Sequence, residues 1–279
     1  MKPTFIGIGA QKCASTWLYR ILGEHPDVAV STLKEVDFFS YRFDHGYQWY
    51  ERHFEHGTNA RAIGEISPSY FCDEDTPARI KDYLPDARIL VSFRDPVERA
   101  VSNHKHEVRV GHYTGPDFSF DAGLRNNPMY IEQGKYATFL KRWLTHFPRE
   151  QILVVFQEDV ESKPLEVARE VYRFVGVNAD YTPVGLRERF NPSFAIKWRW
   201  LANLKDGLYQ ATRSRALRSF WDGAASLGLK KLYRSTNTVV AEQVIPAVTQ
   251  DQKAALRQLF AAEVAELEQL LGRSLGSWK

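Results

Sequence analysis

The chain has 279 residues, of which 44% are hydrophobic and 25% are charged, and its formal net charge is +3. These values are typical of soluble globular proteins and exclude intrinsic disorder, collagen and coiled coil. Its two cysteines, Cys13 and Cys72, are too few for a disulfide framework or a cysteine-based zinc site. Because no long apolar run occurs and the opening segment is too short and glycine-rich for a signal peptide, we expect a cytoplasmic protein.

Apolar runs that predict strands alternate with segments of helical spacing along the first part of the chain. The strand-like runs are short and continuously apolar, as in buried parallel strands, and lie at 5–9, 60–64, 87–93 and 151–156. A helix follows the first run, with Ser15 or Thr16 as its cap and Gly23 near its end. Further helices are predicted at 77–83, 96–110, 131–147 and 165–175. This alternation predicts an α/β fold with a central, mostly parallel sheet and helices on both faces.

The last third of the chain predicts a helical C-terminal portion with a basic face. No strand signal follows Asn191, and apolar residues from Ile196 recur at four-residue steps. Between Ala195 and Ser235, nine Lys or Arg stand against two Asp, a local charge of +7 that favours an anionic ligand or surface. A final helix is predicted over 250–272.

The basic aromatic segment 194–221 leaves three roles open. It can be a partly buried and partly solvated helix, a lid or wall of an acceptor site, or a helix on a membrane surface. A membrane-surface role would make the protein membrane-associated. No recognised nucleic-acid-binding module accompanies the charge, so we expect no nucleic-acid partner.

The turn between the first strand and the first helix is a candidate anion site. Residues 7–17 read GIGAQKCASTW, and such a junction points backbone amides and the positive end of a helix at one spot. Lys12 adds a full charge, and Ser15 and Thr16 add hydroxyl donors. The residues that flank Lys12 do not fit a Walker A loop, and Lys12 itself occupies the third glycine position of a dinucleotide fingerprint. An ordinary strand-to-helix turn remains the alternative.

A second candidate site follows the strand at 87–93. Residues 90–102 read LVSFRDPVERAVS, where Asp95 can cap a helix and Arg94 lies at the carboxyl end of the strand. Open α/β sheets bind ligands at that end. Ser102 follows two helical turns later. The spacing equally allows an ion pair between Arg94 and Glu98.

Together these two segments resemble the sulfotransferases that use 3′-phosphoadenosine 5′-phosphosulfate (PAPS). In that family, QK-x-(A/G)-(S/T)-T binds the 5′-phosphosulfate and R-(D/N)-P-x-E-R-x-x-S binds the 3′-phosphate. This chain has QKCAST at 11–16 and RDPVERAVS at 94–102. HP at 25–26, KEVDFF at 34–39 and GEISPSY at 64–70 resemble the glycan (heparan sulfate type) branch, and GKY at 134–136 looks like the helix near the adenine. The likeness covers about residues 4–176, with a weaker likeness in the C-terminal helix.

The resemblance implies a P-loop-like three-layer fold in a single domain spanning 1–279. Residues 1–190 would be the nucleotide-binding core, and 191–279 a helical acceptor or lid region. The implied reaction is sulfuryl transfer from PAPS to an acceptor, releasing 3′-phosphoadenosine 5′-phosphate (PAP) without a metal. A carbohydrate or glycolipid hydroxyl is the favoured acceptor, while lipids, polyketide alcohols and amines stay open.

The resemblance also implies roles for single residues. Glu35 would be the general base, and Lys12 would stabilise charge on the leaving phosphate oxygen. The nucleotide would be bound by Gln11, Lys12, Cys13, Ala14, Ser15, Thr16, Trp17, Arg94, Ser102, Tyr136 and Arg234. The acceptor would meet Lys34, Asp37 and Phe38, with Asp37 two residues from Glu35 and so on the same face of an extended segment.

The chain departs from the glycan branch at two places. Ile66 stands where many of those enzymes carry a lysine, so one charge near the acceptor is missing. The basic, glycine-bearing loop over the 3′-phosphate is not evident, and Arg234 is our preferred substitute.

Two other functions stay open on the sequence. The anion-binding turn also fits a P-loop kinase of a small molecule, which ATP turnover would reveal. A nucleotide-binding or membrane-adaptor protein without transfer activity would instead bind PAP and release none from PAPS.

Overall fold

A computed structural model describes residues 1–110, 112–113, 119–186, 194–196, 238–240 and 245–279 of the chain. The chain divides into two compact units. The first contains Met1–Ala100, Ile131–Phe190 and Asp251–Lys279, and the second contains Val101–Tyr130 and Asn191–Gln250.

A five-stranded sheet forms the centre of the first unit, with strand order β2-β3-β1-β4-β5. Every neighbouring pair is parallel. The inner strands are almost wholly buried, which explains their continuous apolar sequences. The strands are β1 (Phe5–Gly9), β2 (Val28–Val30), β3 (Ala62–Ile66), β4 (Arg88–Phe93) and β5 (Ile152–Phe156).

Helices connect these strands, as crossovers between parallel strands require. In the first unit they are α1 (Ser15–Glu24), α2 (Phe38–Tyr41), α3 (Tyr47–Glu51), α4 (Thr76–Tyr83), α8 (Tyr136–Leu144), α9 (Gln157–Ser162), α10 (Pro164–Val175) and α11 (Gln250–Leu271). The second unit contains most of α5 (Pro96–Val110), together with α6 (Phe120–Asn126) and the first half of α7 (Met129–Glu132).

The main core lies between the sheet, α1 and α10. The apolar face predicted for α1 is the buried one. Each fully buried large apolar side chain stabilises the fold by about 1.5–3 kcal/mol relative to an exposed one. The core includes Phe5, Ile66, Leu90 and Val155 from the sheet, Trp17, Leu18, Ile21 and Leu22 from α1, and Val167, Ala168, Val171 and Tyr172 from α10.

The predicted α/β class and its parallel sheet are confirmed, with differences at the edges. The strand predicted at 60–64 lies two residues later, at β3. The edge strand β2 was not predicted, because its three residues are too few for a recognisable pattern. The helix predicted over 131–147 is interrupted at Gly134, where a Cβ would lie 2.7 Å from the ring of Phe260 on α11. Only glycine allows this close approach between the turn before α8 and α11.

Helix α11 belongs to the first unit, whereas the sequence grouped it with 191–250 in a separate acceptor region. Hydrogen bonds join it to α8: the amide and the hydroxyl of Thr138 donate to Glu263 at 3.2 and 2.5 Å, and Lys141 Nζ donates to Glu266 Oε1 at 2.7 Å. The predicted helix over 250–272 is confirmed, with Gly272 beyond its end at a φ of 60°.

The expectation that strand signals stop after Asn191 is wrong. Two short strands, β6 (Phe194–Ile196) and β7 (Thr238–Val240), pair antiparallel. The rest of the basic segment 194–221 lies outside the described residues, as does Arg234. Among the helices that the structure describes, none combines the length and apolarity needed to cross a membrane.

Candidate functional site

The polar segments singled out in the sequence follow β3, β1 and β4, which are neighbours in the sheet. Gly7 in β1 pairs with Ile66 in β3, and the amide of Ser67 donates to the carbonyl of Gly7 at 2.8 Å. On the other side, the amide of Ala10 donates to the carbonyl of Ser92 at 2.8 Å. Because parallel strands end at the same edge, the Lys12 turn lies between the chain that follows β3 and the chain that leads to Arg94.

The turn that carries Lys12 leads directly into the N-terminus of α1. Lys12 and Ala14 both have left-handed backbones, with φ values of 66° and 64°. The first hydrogen bond of α1 runs from the amide of Leu18 to the carbonyl of Ala14 at 3.1 Å, so the amides of residues 15–17 have no acceptor within the helix. Such amides at the positive end of a helix can bind an anion, and the amides of residues 15–17 are called the cradle below. The prediction that Ser15 or Thr16 caps α1 is wrong, since the residue before the helix is Ala14.

Cys13 and Tyr136 lie beneath this turn. The Cys13 thiol is wholly buried, 3.4 Å from the carbonyl of Gln11 and 3.5 Å from the hydroxyl of Tyr136. Tyr136 stacks on Phe93 at the end of β4, with ring centroids 4.5 Å apart. Burial raises the pKa of the Cys13 thiol to about 11, so it stays protonated at neutral pH. Their side chains therefore support the turn from within, although both were predicted to bind the nucleotide.

Trp17 also turns its side chain inward. The indole is 6% exposed, belongs to the core, and donates from Nε1 to the carbonyl of Leu186 at 3.0 Å. The indole is therefore part of the core and the backbone amide of Trp17 belongs to the cradle, while the predicted nucleotide contact of this residue stays a prediction. Gln11, Ser15 and Thr16 are half-buried and remain candidates for direct contact.

Arg94 lies just beyond β4, with its side chain 24% exposed. Its Nη2 is 4.0 Å from Glu98 Oε2, which is the ion pair allowed by the spacing, but at the outer limit of contact. Glu98 is held more closely by Lys253 Nζ at 2.5 Å. Asp95 caps α5 as predicted, because its Oδ1 accepts from the amide of Val97 at 2.8 Å. An exposed, long ion pair contributes little, so the guanidinium of Arg94 can exchange Glu98 for a phosphate at small cost. Ser102 is half-buried on α5, in the second unit.

The segment that carries Glu35 connects β2 to α2. The Glu35 side chain is 40% exposed, and its Oε1 is 3.1 Å from Lys34 Nζ. Asp37 has a left-handed backbone with a φ of 54°, and its Oδ1 accepts from the hydroxyl of Ser69 at 2.6 Å. Residues 35–37 form no strand, so the expectation that Glu35 and Asp37 share the face of an extended segment is wrong.

The side chain of Phe38 lies in the interior of the protein. Its ring is wholly buried and stacks on Tyr50 with centroids 4.6 Å apart. Phe38 therefore anchors α2 in an aromatic cluster, and its predicted substrate contact stays a prediction. The other two predicted acceptor contacts, Lys34 and Asp37, lie on the same segment.

A functional candidate that sequence reasoning missed is Glu65, in β3. Its carboxylate is wholly buried and accepts from Tyr50 at 2.7 Å, from Tyr70 at 2.8 Å and from Ser67 at 2.6 Å. Burial raises its pKa from 4.5 to about 7, although the three hydroxyls oppose that rise. The sequence signal that could have identified Glu65 is a charged residue inside an otherwise apolar strand, AIGEI.

The raised pKa of Glu65 predicts a pH-dependent stability. The pKa of the Glu65 carboxyl is 4.5 in the unfolded chain and about 7 in the folded protein. The stability that the bound proton of Glu65 contributes is thus fully present below about pH 4.5 and is lost as the pH rises through 7. We expect the free energy of unfolding of the wild type, relative to Glu65→Gln, to fall by about 3 kcal/mol across this window. Urea denaturation of both proteins from pH 5 to 8.5 measures it, and a constant difference would contradict it.

Comparisons with protein-family models and with solved structures identify the family of this chain. The family model for the sulfotransferase domain matches residues 2–192. A solved sulfotransferase from Alicyclobacillus acidocaldarius is similar over 100% of this chain and 99% of its own, with 26% identity and a TM-score of 0.74.

Two curated relatives give the same family. Bifunctional heparan sulfate N-deacetylase/N-sulfotransferase 4 of Mus musculus is 30% identical over 203 residues, which cover 64% of this chain and 23% of the relative. Heparan sulfate glucosamine 3-O-sulfotransferase 3B1 of Homo sapiens is 35% identical over 182 residues, covering 63% of this chain and 46% of the relative. The chain thus spans about a quarter of the first and about half of the second. With the family model matching more than half of its length, the chain belongs to the sulfotransferase domain family.

Proposed function

We propose that this protein transfers a sulfuryl group from PAPS to a carbohydrate acceptor and releases PAP. The observation that carries the proposal is the position of the Lys12 turn and Arg94 at the carboxyl ends of the paired strands β1 and β4, within a sulfotransferase domain. One cation and a set of helix-end amides suit a phosphosulfate, and a second cation at the adjacent strand end suits another phosphate.

The residues at this edge fit the chemistry of the transfer. The acceptor oxygen or nitrogen forms a bond to sulfur while the bond from sulfur to the phosphate oxygen breaks. The carboxylate of Glu35 takes the proton of the acceptor, because it is partly exposed and lies on the segment tied to the end of β3. The ammonium of Lys12 stabilises the negative charge that develops on the leaving phosphate.

A saccharide of the heparan sulfate type is the acceptor class that we propose. One relative is named as an N-sulfotransferase and the other as a 3-O-sulfotransferase of heparan sulfate, so both an amine and a hydroxyl are included, with the hydroxyl leading. Lys34 and Asp37 supply a cation and a carboxylate beside Glu35 that can bind polar sugar groups. Ile66, which replaces a lysine, is 1% exposed and offers the acceptor nothing.

Thermal unfolding with nucleotides tests the donor site. At 100 times its dissociation constant, PAP should stabilise the wild type by about 2.7 kcal/mol. We expect Arg94→Ala to lose most of this stabilisation and to bind adenosine 5′-phosphate nearly as before, because the guanidinium would contact only the 3′-phosphate. Arg61→Ala is the matched control, since Arg61 is exposed and precedes β3 at the opposite edge of the sheet.

The same measurement separates the alternatives. Stabilisation by ATP and none by PAP would overturn the proposal in favour of a kinase. Stabilisation by PAP without release of PAP from PAPS, tested with heparan sulfate oligosaccharides, would favour a binding protein without transfer activity.

A further inference from the structure

A buried carboxylate is connected by hydrogen bonds to the segment that carries the proposed base. Glu65 accepts one hydrogen bond from each of three hydroxyls, on Tyr50, Ser67 and Tyr70. A hydroxyl has one proton, so each of these oxygens keeps only lone pairs for any other partner. An ionised Glu65 thus makes all three oxygens acceptors toward the rest of the protein.

Two of these three oxygens accept backbone amides from the Glu35 segment. The amide of Asp37 donates to Ser67 Oγ at 3.0 Å, and the amide of Phe39 donates to the hydroxyl of Tyr70 at 3.4 Å. Tyr50 is bonded to the same Glu65 oxygen as Tyr70, but it accepts no amide of this segment in any hydrogen bond that the described residues form. Among the three hydroxyls, those of Ser67 and Tyr70 are therefore hydrogen-bonded to the Glu35 segment, and that of Tyr50 is not.

The backbone held in this way is strained. Asp37 has a φ of 54°, a left-handed conformation that a residue with a side chain adopts only when its surroundings fix it. Its side chain is fixed as well, by the hydroxyl of Ser69, which follows β3 like Ser67. The conformation two residues after Glu35 thus depends on groups at the end of β3.

We infer that Glu65 is a positioning residue that holds the Glu35 carboxylate in its reactive place through Ser67 and Tyr70. The inference rests on the proposed function of Glu35. Glu65 is wholly buried, so it acts through the three hydroxyls that it contacts and, through two of them, on the backbone of the segment. Ser67 and Tyr70 hold the segment by accepting hydrogen bonds from the backbone amides of residues 37 and 39.

Kinetics of single variants test the inference in the full chain, with PAPS and heparan sulfate oligosaccharides as substrates. We expect Ser67→Ala and Tyr70→Phe to lower kcat by about 10- to 100-fold, the usual effect of a small misplacement, with KM for PAPS changed less than about twofold. Tyr50→Phe is the matched control, because it removes a hydroxyl from the same carboxylate oxygen as Tyr70→Phe. An equal loss of kcat in the two tyrosine variants would overturn the inference.

A double-mutant cycle separates positioning from general damage to the fold. If Glu65 acts through Glu35, Glu65→Gln lowers kcat in the wild type but costs nothing further in Glu35→Gln. The same fold-loss in both backgrounds would overturn the inference.

Amide hydrogen exchange gives a readout that needs no activity. We expect faster exchange at Asp37 and Phe39 in Glu65→Gln and unchanged exchange at these amides in Tyr50→Phe. If the wild type transfers no sulfuryl group, the proposed function fails, while the exchange rates still decide whether Glu65 holds the segment. Unchanged exchange in Glu65→Gln would overturn the inference whatever the activity.

Discussion

Replacing Glu35 with glutamine is expected to lower kcat by about 10²- to 10⁴-fold, the usual contribution of a general base. The amide has the size of the carboxylate but cannot take the proton of the acceptor. Since the Glu35 side chain is 40% exposed and contacts Lys34 at 3.1 Å, the fold should lose little stability. Steady-state kinetics with PAPS and a heparan sulfate oligosaccharide, beside a melting curve, measures both effects.

Asp44→Asn is the control for this substitution. Asp44 follows the same segment and its side chain is 85% exposed, so its neutralisation removes a nearby charge without touching the proposed base. Its kcat should remain within about twofold of the wild type. A Glu35→Gln enzyme with nearly normal kcat would reassign the base to another group.

Replacing Lys12 with alanine is expected to lower kcat by about 10²- to 10³-fold, as when one preorganised electrostatic group is removed from an active site. Both residues carry a Cβ, so the left-handed backbone at a φ of 66° is equally unfavourable before and after the change. The backbone preference of the turn is therefore the same in the variant as in the wild type. Single-turnover kinetics with saturating PAPS separates the chemical step from binding.

The control for Lys12 is Lys2→Ala, because Lys2 is exposed and its ammonium lies 4.1 Å from the ring centre of Tyr83, away from the turn. A loss in Lys12→Ala confined to KM, with kcat unchanged, would contradict a role in the transition state, since it indicates equal binding of ground state and transition state.

The sequence predicted the frame of this site well and the direction of its side chains less well. β1 and β4 were predictable because buried parallel strands are continuously apolar, and the α5 cap because Asp95 precedes a proline. Trp17 and Tyr136 lie within or beside the matched motifs, yet both rings point into the protein. A motif fixes which backbone lies near the ligand, but packing decides which side of that backbone each ring occupies.

Glu65 was not predictable as a functional residue for a different reason. Its partners come from three places in the chain, Tyr50 before it and Ser67 and Tyr70 after it, and only the fold brings their hydroxyls to one carboxylate. The left-handed Asp37 was hidden as well, because an acidic residue between apolar neighbours has the pattern of a strand.

The close approach of Phe260 to Gly134 shows that α11 is part of the packing around α8. A fragment that stops at residue 190 would remove the ring that covers the turn leading into Tyr136, and with it the partners of Thr138 and Lys141. The turn before α8 would then lose the ring that packs against it, and Tyr136, which follows this turn, contacts Cys13 of the Lys12 turn. A fragment meant to retain the Lys12 turn should therefore include α11, which belongs to the same compact unit as the first strand although it is distant in sequence.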